Sequence, residues 1–288
     1  MSLQEAIEIV HNPKTSVSTK TRVLYYLRCL DTEEAALALQ KCMTNSSVLI
    51  DHEVAYILGQ MKQEATIPFL FELIENSEIN PIVRHEAIEA LGNFEDKSLI
   101  ARLEPLLSHP IDIIQESAVL AIKKLQTSDT KKESFSKYHS RDPAYPFEGT
   151  FEDAVKLFNS DDIESKYRAI FYFRDLNTPE AVEMLGSGFK FSSDLLKHEI
   201  AYVFGQMENP LSVKALIEVL LNENEADIVR HEAAEALGNI ATDEALACLE
   251  KFVDSDIVIL KESSTVGLGI SANDEDDYSN LEKLRVTE

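Results

Sequence analysis

The sequence predicts an all-α fold, an α-solenoid of eight helical hairpins in two pseudo-symmetric halves. Three observations predict it. The chain of 288 residues overlays on itself without a gap when shifted by 146. Within each half a period of about 30–33 residues recurs, and each unit carries two amphipathic stretches of helical spacing. β-Branched runs with period-two alternation are scarce, so no strand is required.

The overlay sets TRVLYYLRCL (21–30) on YRAIFYFRDL (167–176) and EVAYILGQM (53–61) on EIAYVFGQM (199–207). It also sets IVRHEAIEALGN (82–93) on IVRHEAAEALGN (228–239), and QESAVLAI (115–122) on KESSTVGL (261–268). The unit over 64–94 shows how a hairpin is read. Ile67, Phe69, Leu70, Leu73 and Ile74 form one apolar helical face, and residues 77–80 form a polar break. Asn80 is placed to cap a second helix and Pro81 to be its first residue. Ile82, Val83, Ala87 and Leu91 make that helix's apolar side, and Gly92 lies near its end. The same reading puts second helices near 16–29, 47–61, 81–94 and 111–126, with counterparts near 162–175, 193–207, 227–240 and 257–271. Stacked hairpins of this length bury each repeat's face on its neighbour. The VR…A..ALG signature resembles HEAT-type repeats.

The expected organisation is an N-terminal four-repeat half (1–126), a linker (127–149), a C-terminal four-repeat half (150–271) and an acidic tail (272–288). The linker, TSDTKKESFSKYHSRDPAYPFEG, is polar and lacks helical periodicity. Its Tyr138, His139, Tyr145 and Phe147 are expected to pack against the groove or to be mobile rather than to gate a substrate.

A formal net charge of -24 argues against a nucleic-acid surface and suits a cationic partner or simple solubility. The three cysteines, Cys29, Cys42 and Cys248, are odd in number and have no CxxC spacing, which disfavours disulfides and thiolate metal sites. No apolar run is long enough to span a bilayer, and no secretory leader is seen. A cytoplasmic monomer without a membrane or nucleic-acid partner is expected.

Four of the seven histidines precede a glutamate: His52-Glu53, His85-Glu86, His198-Glu199 and His231-Glu232. His52 to His85 and His198 to His231 are both steps of 33 residues, one repeat. A one-repeat step carries a side chain to the same height on the adjacent helix, about 8–10 Å away, so each half sets two imidazoles on one wall. If the halves face each other across a twofold, two metal sites meet as a dinuclear centre. Imidazoles and carboxylates without thiolates suit iron, manganese or another metal that prefers nitrogen and oxygen. The pattern leaves each glutamate open as a metal ligand or as a partner for a substrate ammonium. Tyr56, Glu89, Tyr202 and Glu235 follow the four histidines by one helical turn and are candidates to orient the imidazoles. None of the pairs completes HExxH, so a zincin-type protease is not supported.

An isolated His-Glu pair on a helix is ordinarily a surface pair. The outer repeats argue otherwise, because their matching positions hold Thr21-Arg22, Gln115-Glu116, Tyr167-Arg168 and Lys261-Glu262. The helix itself does not require histidine there. His11 and His109 fall outside the pattern and read as loop or helix-end residues. Gly59, Gly92, Gly205 and Gly238 follow the four histidines by seven positions, as close helix packing or helix termination would need.

On the four pairs, the 33-residue step, the two halves and the linker's DPAYP, the chain resembles the deoxyhypusine hydroxylases. The resemblance implies a HEAT-repeat di-iron monooxygenase that hydroxylates the deoxyhypusine side chain of translation initiation factor five-A. It implies two iron ions, dioxygen as co-substrate and an external reductant. One iron would be held by His52, His85 and Glu86 and the other by His198, His231 and Glu232. Glu53 and Glu199, also in the metal-site pattern, would position the substrate. The rival expectations are a non-catalytic HEAT scaffold that binds proteins, a repeat protein related to bilin lyases, and a dinuclear hydrolase.

Overall fold

The computed structural model describes residues 1–128 and 137–271. The expected tail (272–288) and residues 129–136 of the expected linker lie outside the described residues. Among the described residues every regular element is helical.

Eight hairpins follow in order. The N-terminal four pair α1 (Leu3–His11) with α2 (Val17–Leu30), α3 (Glu33–Gln40) with α4 (Val48–Met61), α5 (Ile67–Glu75) with α6 (Pro81–Gly92), and α7 (Ile100–Leu103) with α8 (Asp112–Thr127). After the connecting segment come α9 (Phe151–Phe158) and α10 (Ile163–Leu176), α11 (Pro179–Ser187) and α12 (Asp194–Met207), α13 (Val213–Leu221) and α14 (Asp227–Ile240), and α15 (Asp243–Leu249) and α16 (Val258–Ser271). The second helices start and stop within two residues of the spans that the sequence predicts. The caps show why. Asn80 accepts a hydrogen bond from the Ile82 amide at 2.9 Å, and Pro81 opens α6 where its missing N–H costs nothing. Ser47 and Ser193 cap α4 and α12 by accepting from the amides of Ile50 and Leu196, both at 3.1 Å.

The second helices form an inner wall in which each packs on the next, and the first helices lie outside them. The wall closes on itself: α8 packs on α10 at one seam, and α16 packs on α2 at the other. Each seam is tied by the same pair. Ser47 donates to Glu262 at 2.7 Å, and Ser193 donates to Glu116 at 2.7 Å. Glu116 and Glu262 are the glutamates of the outer repeats that match the His-Glu pairs, so the duplicated helix uses that carboxylate as a latch where it carries no histidine. Apolar side chains gather into two cores, one in each half. The inner helices α4, α6, α12 and α14 are buried on nearly every face, because they stand between the outer helices and the opposite half.

Candidate metal centre

The residues around each histidine fix its helix before the imidazole does anything. Arg84 Nε donates to the Ile74 carbonyl at 3.0 Å, and Arg230 Nε donates to the Leu220 carbonyl at 3.1 Å. Each arginine thereby satisfies an orphan carbonyl near the end of the first helix in its hairpin and sets the height of the second. Asp51, beside His52, accepts from the amides of Thr44 and Asn45 at 2.7 and 2.9 Å. Close helix approach does the rest. A Cβ at Gly59 would sit 2.7 Å from Ala90 Cα, and one at Gly205 would sit 3.1 Å from Ala236 Cα. Glycine there draws α4 onto α6 and α12 onto α14.

All four His-Glu pairs converge at the centre. His52 and His85 have ring centroids 5.7 Å apart at an interplanar angle of 38°, and His198 and His231 repeat this at 5.7 Å and 41°. Across the axis the rings are also close: His52 lies 5.9 Å from His198 and 5.4 Å from His231, and His85 lies 5.4 Å from His198. Each half repeats one carboxylate contact. Glu86 Oε2 is 3.4 Å from His52 Nε2, and Glu232 Oε2 is 3.2 Å from His198 Nε2. Ligand atoms of His52, His85 and Glu86 fall within 4.8 Å of one another, and so do those of His52, His198 and His231.

Among the described residues, both ring nitrogens of all four imidazoles are buried without a hydrogen-bond partner. Eight orphaned lone pairs or N–H groups in one place are costly unless something else satisfies them. The carboxylates compound the cost. Glu53, Glu86, Glu89, Glu199 and Glu232 are buried with them, and Glu235 is half-buried. Burial, then the neighbouring charge of Glu86, pushes Glu89 up to about 8. Burial, then Glu89, raises Glu199 well above the usual carboxylate range, and burial, then Glu232, does the same to Glu235. Burial and the surrounding imidazoles hold His85 and His231 well below the ordinary histidine value. Burial opposes protonation of His52 too, but Glu53 and Glu86 outweigh it and raise its pKa. Bound cations would satisfy both the orphaned nitrogens and the crowded carboxylates, so the donor set fits a pair of metal ions.

The expected orienting residues divide into two kinds. Glu89 Oε1 stands 3.8 Å from His85 Nδ1, and Glu235 Oε1 stands 3.5 Å from His231 Nδ1. Each accepts a hydrogen bond at 3.0 Å from a serine of the outer repeat, Ser117 or Ser263. Tyr56 and Tyr202 do something else. Their hydroxyls hydrogen-bond to each other at 2.8 Å, bridging the two halves, and Gln206 Nε2 donates to the Tyr202 hydroxyl at 2.8 Å. His11 closes α1 with Nε2 2.6 Å from the Lys41 carbonyl, and His109 Nδ1 accepts from the Ile111 amide at 3.2 Å.

A cavity of about 110 Å³ faces the centre, lined among others by His52, His198, Tyr56, Tyr202, Glu53 and Glu199. It adjoins a cleft of about 880 Å³ at the α2–α16 seam, with Tyr25, Glu53, Gln60, Arg141, Glu235 and Asn239 lining both. Arg174 and Lys124, which sequence reasoning did not single out, hold the other seam. Arg174 is fully buried and pairs in a fork with Asp142 of the connecting segment at 2.8 and 2.9 Å. Lys124 Nζ donates to the Asp142 carbonyl at 2.7 Å. Tyr138 donates to the Arg174 carbonyl at 3.2 Å, the His139 carbonyl accepts from Arg28, and Tyr145 is buried. The segment 138–147 is therefore a strap packed into the ring, as expected of its aromatic residues. The signal for its anchor was an arginine inside the otherwise aromatic YFRDL.

This arrangement has known counterparts. A deoxyhypusine hydroxylase of Candida albicans is 39% identical over 98% of this chain and 95% of its own length. The chain belongs to the deoxyhypusine hydroxylase family. The Danio rerio family member is 36% identical over 90% of this chain and 88% of its own. The structure of human deoxyhypusine hydroxylase in complex with glycerol superposes with a TM-score of 0.90 at 32% identity, covering 94% of this chain and 96% of that one. HEAT repeats match residues 192–269, and a PBS lyase HEAT-like repeat matches residues 83–109. The chain is thus a HEAT-repeat enzyme of the deoxyhypusine hydroxylase type. No described helix is long and apolar enough to cross a membrane.

Proposed function

We propose that the chain hydroxylates the deoxyhypusine side chain of translation initiation factor five-A, using dioxygen, an external reductant and two iron ions. The observation that carries this reading is the set of eight buried, unpartnered imidazole nitrogens in two matching pairs. His52, His85 and Glu86 would hold one ion, and His198, His231 and Glu232 the other. The repeat of the His-Glu contact within each half, 3.4 Å in one and 3.2 Å in the other, favours that division over a set crossing the axis. Two irons held there would supply dioxygen activation, with the electrons coming from the reductant.

The remaining residues bind and orient. Glu53 Oε2 and Glu199 Oε1 are buried without a hydrogen-bond partner and belong to residues lining the inner cavity. They suit the ammonium groups of a polyamine-like arm, which has donors and no acceptors. Fixing a nitrogen sets which methylene faces the metals, and that decides the outcome because the C–H bonds along the arm are chemically alike.

The test is mass analysis of the deoxyhypusine-bearing factor after incubation with iron-loaded protein and reductant, with and without oxygen. The factor should gain one oxygen atom in the aerobic sample alone. An oxygen-independent change, or no change at full iron loading, would overturn the reading.

A further inference from the structure

The pseudo-twofold gives the ring two matching mouths; the strap packs into one, and at the other its His139 and Arg141 form part of the wall of an open cleft. We propose that the other, the cleft at the α2–α16 seam, is where the protein substrate docks, laying a non-helical loop across the mouth and sending its amine-bearing arm inward past Glu53 and Glu235. This rests on the hydroxylase reading above and adds the face and the mode of docking.

Residue-by-residue comparison of the two mouths carries the inference. On the strapped side, Arg174 holds the Asp142 carboxylate, Lys124 holds the Asp142 carbonyl at 2.7 Å, and Arg168 donates to the Pro146 carbonyl at 3.4 Å. Ala144 and Tyr145 of the same stretch are buried. A non-helical piece of this chain thus lies in one groove, gripped by two arginines and a lysine through its carboxylate and carbonyls. Shifted by 146, Arg168 and Arg174 become Arg22 and Arg28, and both line the open cleft. The open mouth is therefore edged by the same arginine pair, here donating to the Gly269 and His139 carbonyls. Glu53 and Glu235 line both the cleft and the inner cavity and so carry carboxylates inward from the mouth, with Arg141 of the strap beside them. Size agrees with charge. The inner cavity, about 110 Å³, takes only the tip of an arm, whereas the cleft of about 880 Å³ has room for backbone as well.

Cys29 provides the test. It is exposed and lines the open cleft, whereas Cys42 and Cys248 are buried. Its counterpart on the strapped side is the exposed Asp175. Maleimide labelling is followed by mass on the iron-loaded full chain, alone and with saturating deoxyhypusine-bearing factor, and repeated on the C29S/D175C variant. Bound factor should abolish labelling of Cys29 and leave labelling of the C29S/D175C variant unchanged. Undiminished Cys29 labelling with the factor demonstrably co-eluting would overturn the docking face, and so would protection of the C29S/D175C variant. Failure of the factor to co-elute at all would instead overturn the hydroxylase reading on which the proposal rests.

Discussion

The two mouths of the ring descend from one duplicated unit and have diverged. At the α8–α10 mouth, Arg174 is fully buried and forked onto Asp142, and the strap seals the groove. At the α2–α16 mouth, the matching Arg28 donates to the His139 carbonyl of the strap, and a cleft opens beside it. The centre between them has stayed symmetric: the His-His distances, the His-Glu contacts and the Glu-Ser braces repeat from half to half. Two matched half-sites meet at the centre, and the strap makes the two mouths around them unlike.

The largest expected effects attack the symmetric part. His85→Ala and His231→Ala should behave alike, each losing about one of two bound metals and more than about 100-fold of activity, since even residues behind the ligands cost 10–100-fold. Glu53→Ala should keep its metal and weaken substrate binding. Metal analysis with substrate titration separates the two classes. Unequal metal loss in the two histidine variants would break the symmetry argument, and equal loss in Glu53→Ala would break the division of roles.

The asymmetric part should show in stability. Asp142→Ala removes the fork on the buried Arg174, whose Nε keeps the exposed Asp175 carboxylate, and should cost about 3 kcal/mol in urea unfolding. Arg28→Ala on the open side removes one hydrogen bond to a carbonyl and should cost about 1–2 kcal/mol. Similar costs would mean that the strap binds both sides equally.

Metal removal has a pH signature. Glu89, Glu199, Glu235 and His52 all have raised pKa values in the metal-free fold. The native state then binds protons that the unfolded state does not, so metal-free protein should gain stability as pH falls from about 8 toward about 6.5. Below that range His85 and His231, whose pKa values are lowered, charge in the unfolded chain first and oppose the gain. Thermal melts across that window should show the slope in metal-free protein and lose it on iron loading. The smallest effects belong to the seam latches. Ser47→Ala and Ser193→Ala should each cost about 1 kcal/mol, and a large difference between them would show that the seams are not equivalent.

What the sequence revealed and what it hid follow from range. Helix spans were legible because periodicity, Asn80-Pro81 and the serine caps act within a few residues. The four pairs were legible because a repeat period fixes neighbouring helices to one height. Ring closure at α16–α2 was not, because it depends on small rotations accumulated over eight hairpins. The strap's anchor was hidden for the same reason, since Asp142 and Arg174 meet only after the ring closes. Tyr56 and Tyr202 occupy the same helical offset as Glu89 and Glu235, but they meet across the axis, which spacing along one helix cannot show.

The most direct measurement is metal content per chain, by elemental mass spectrometry, on protein produced with iron available. The account expects about two irons per chain, the count of a two-metal site. Protein that binds its factor yet holds no stoichiometric metal, even after anaerobic iron loading, would contradict it and leave eight buried imidazole nitrogens unexplained.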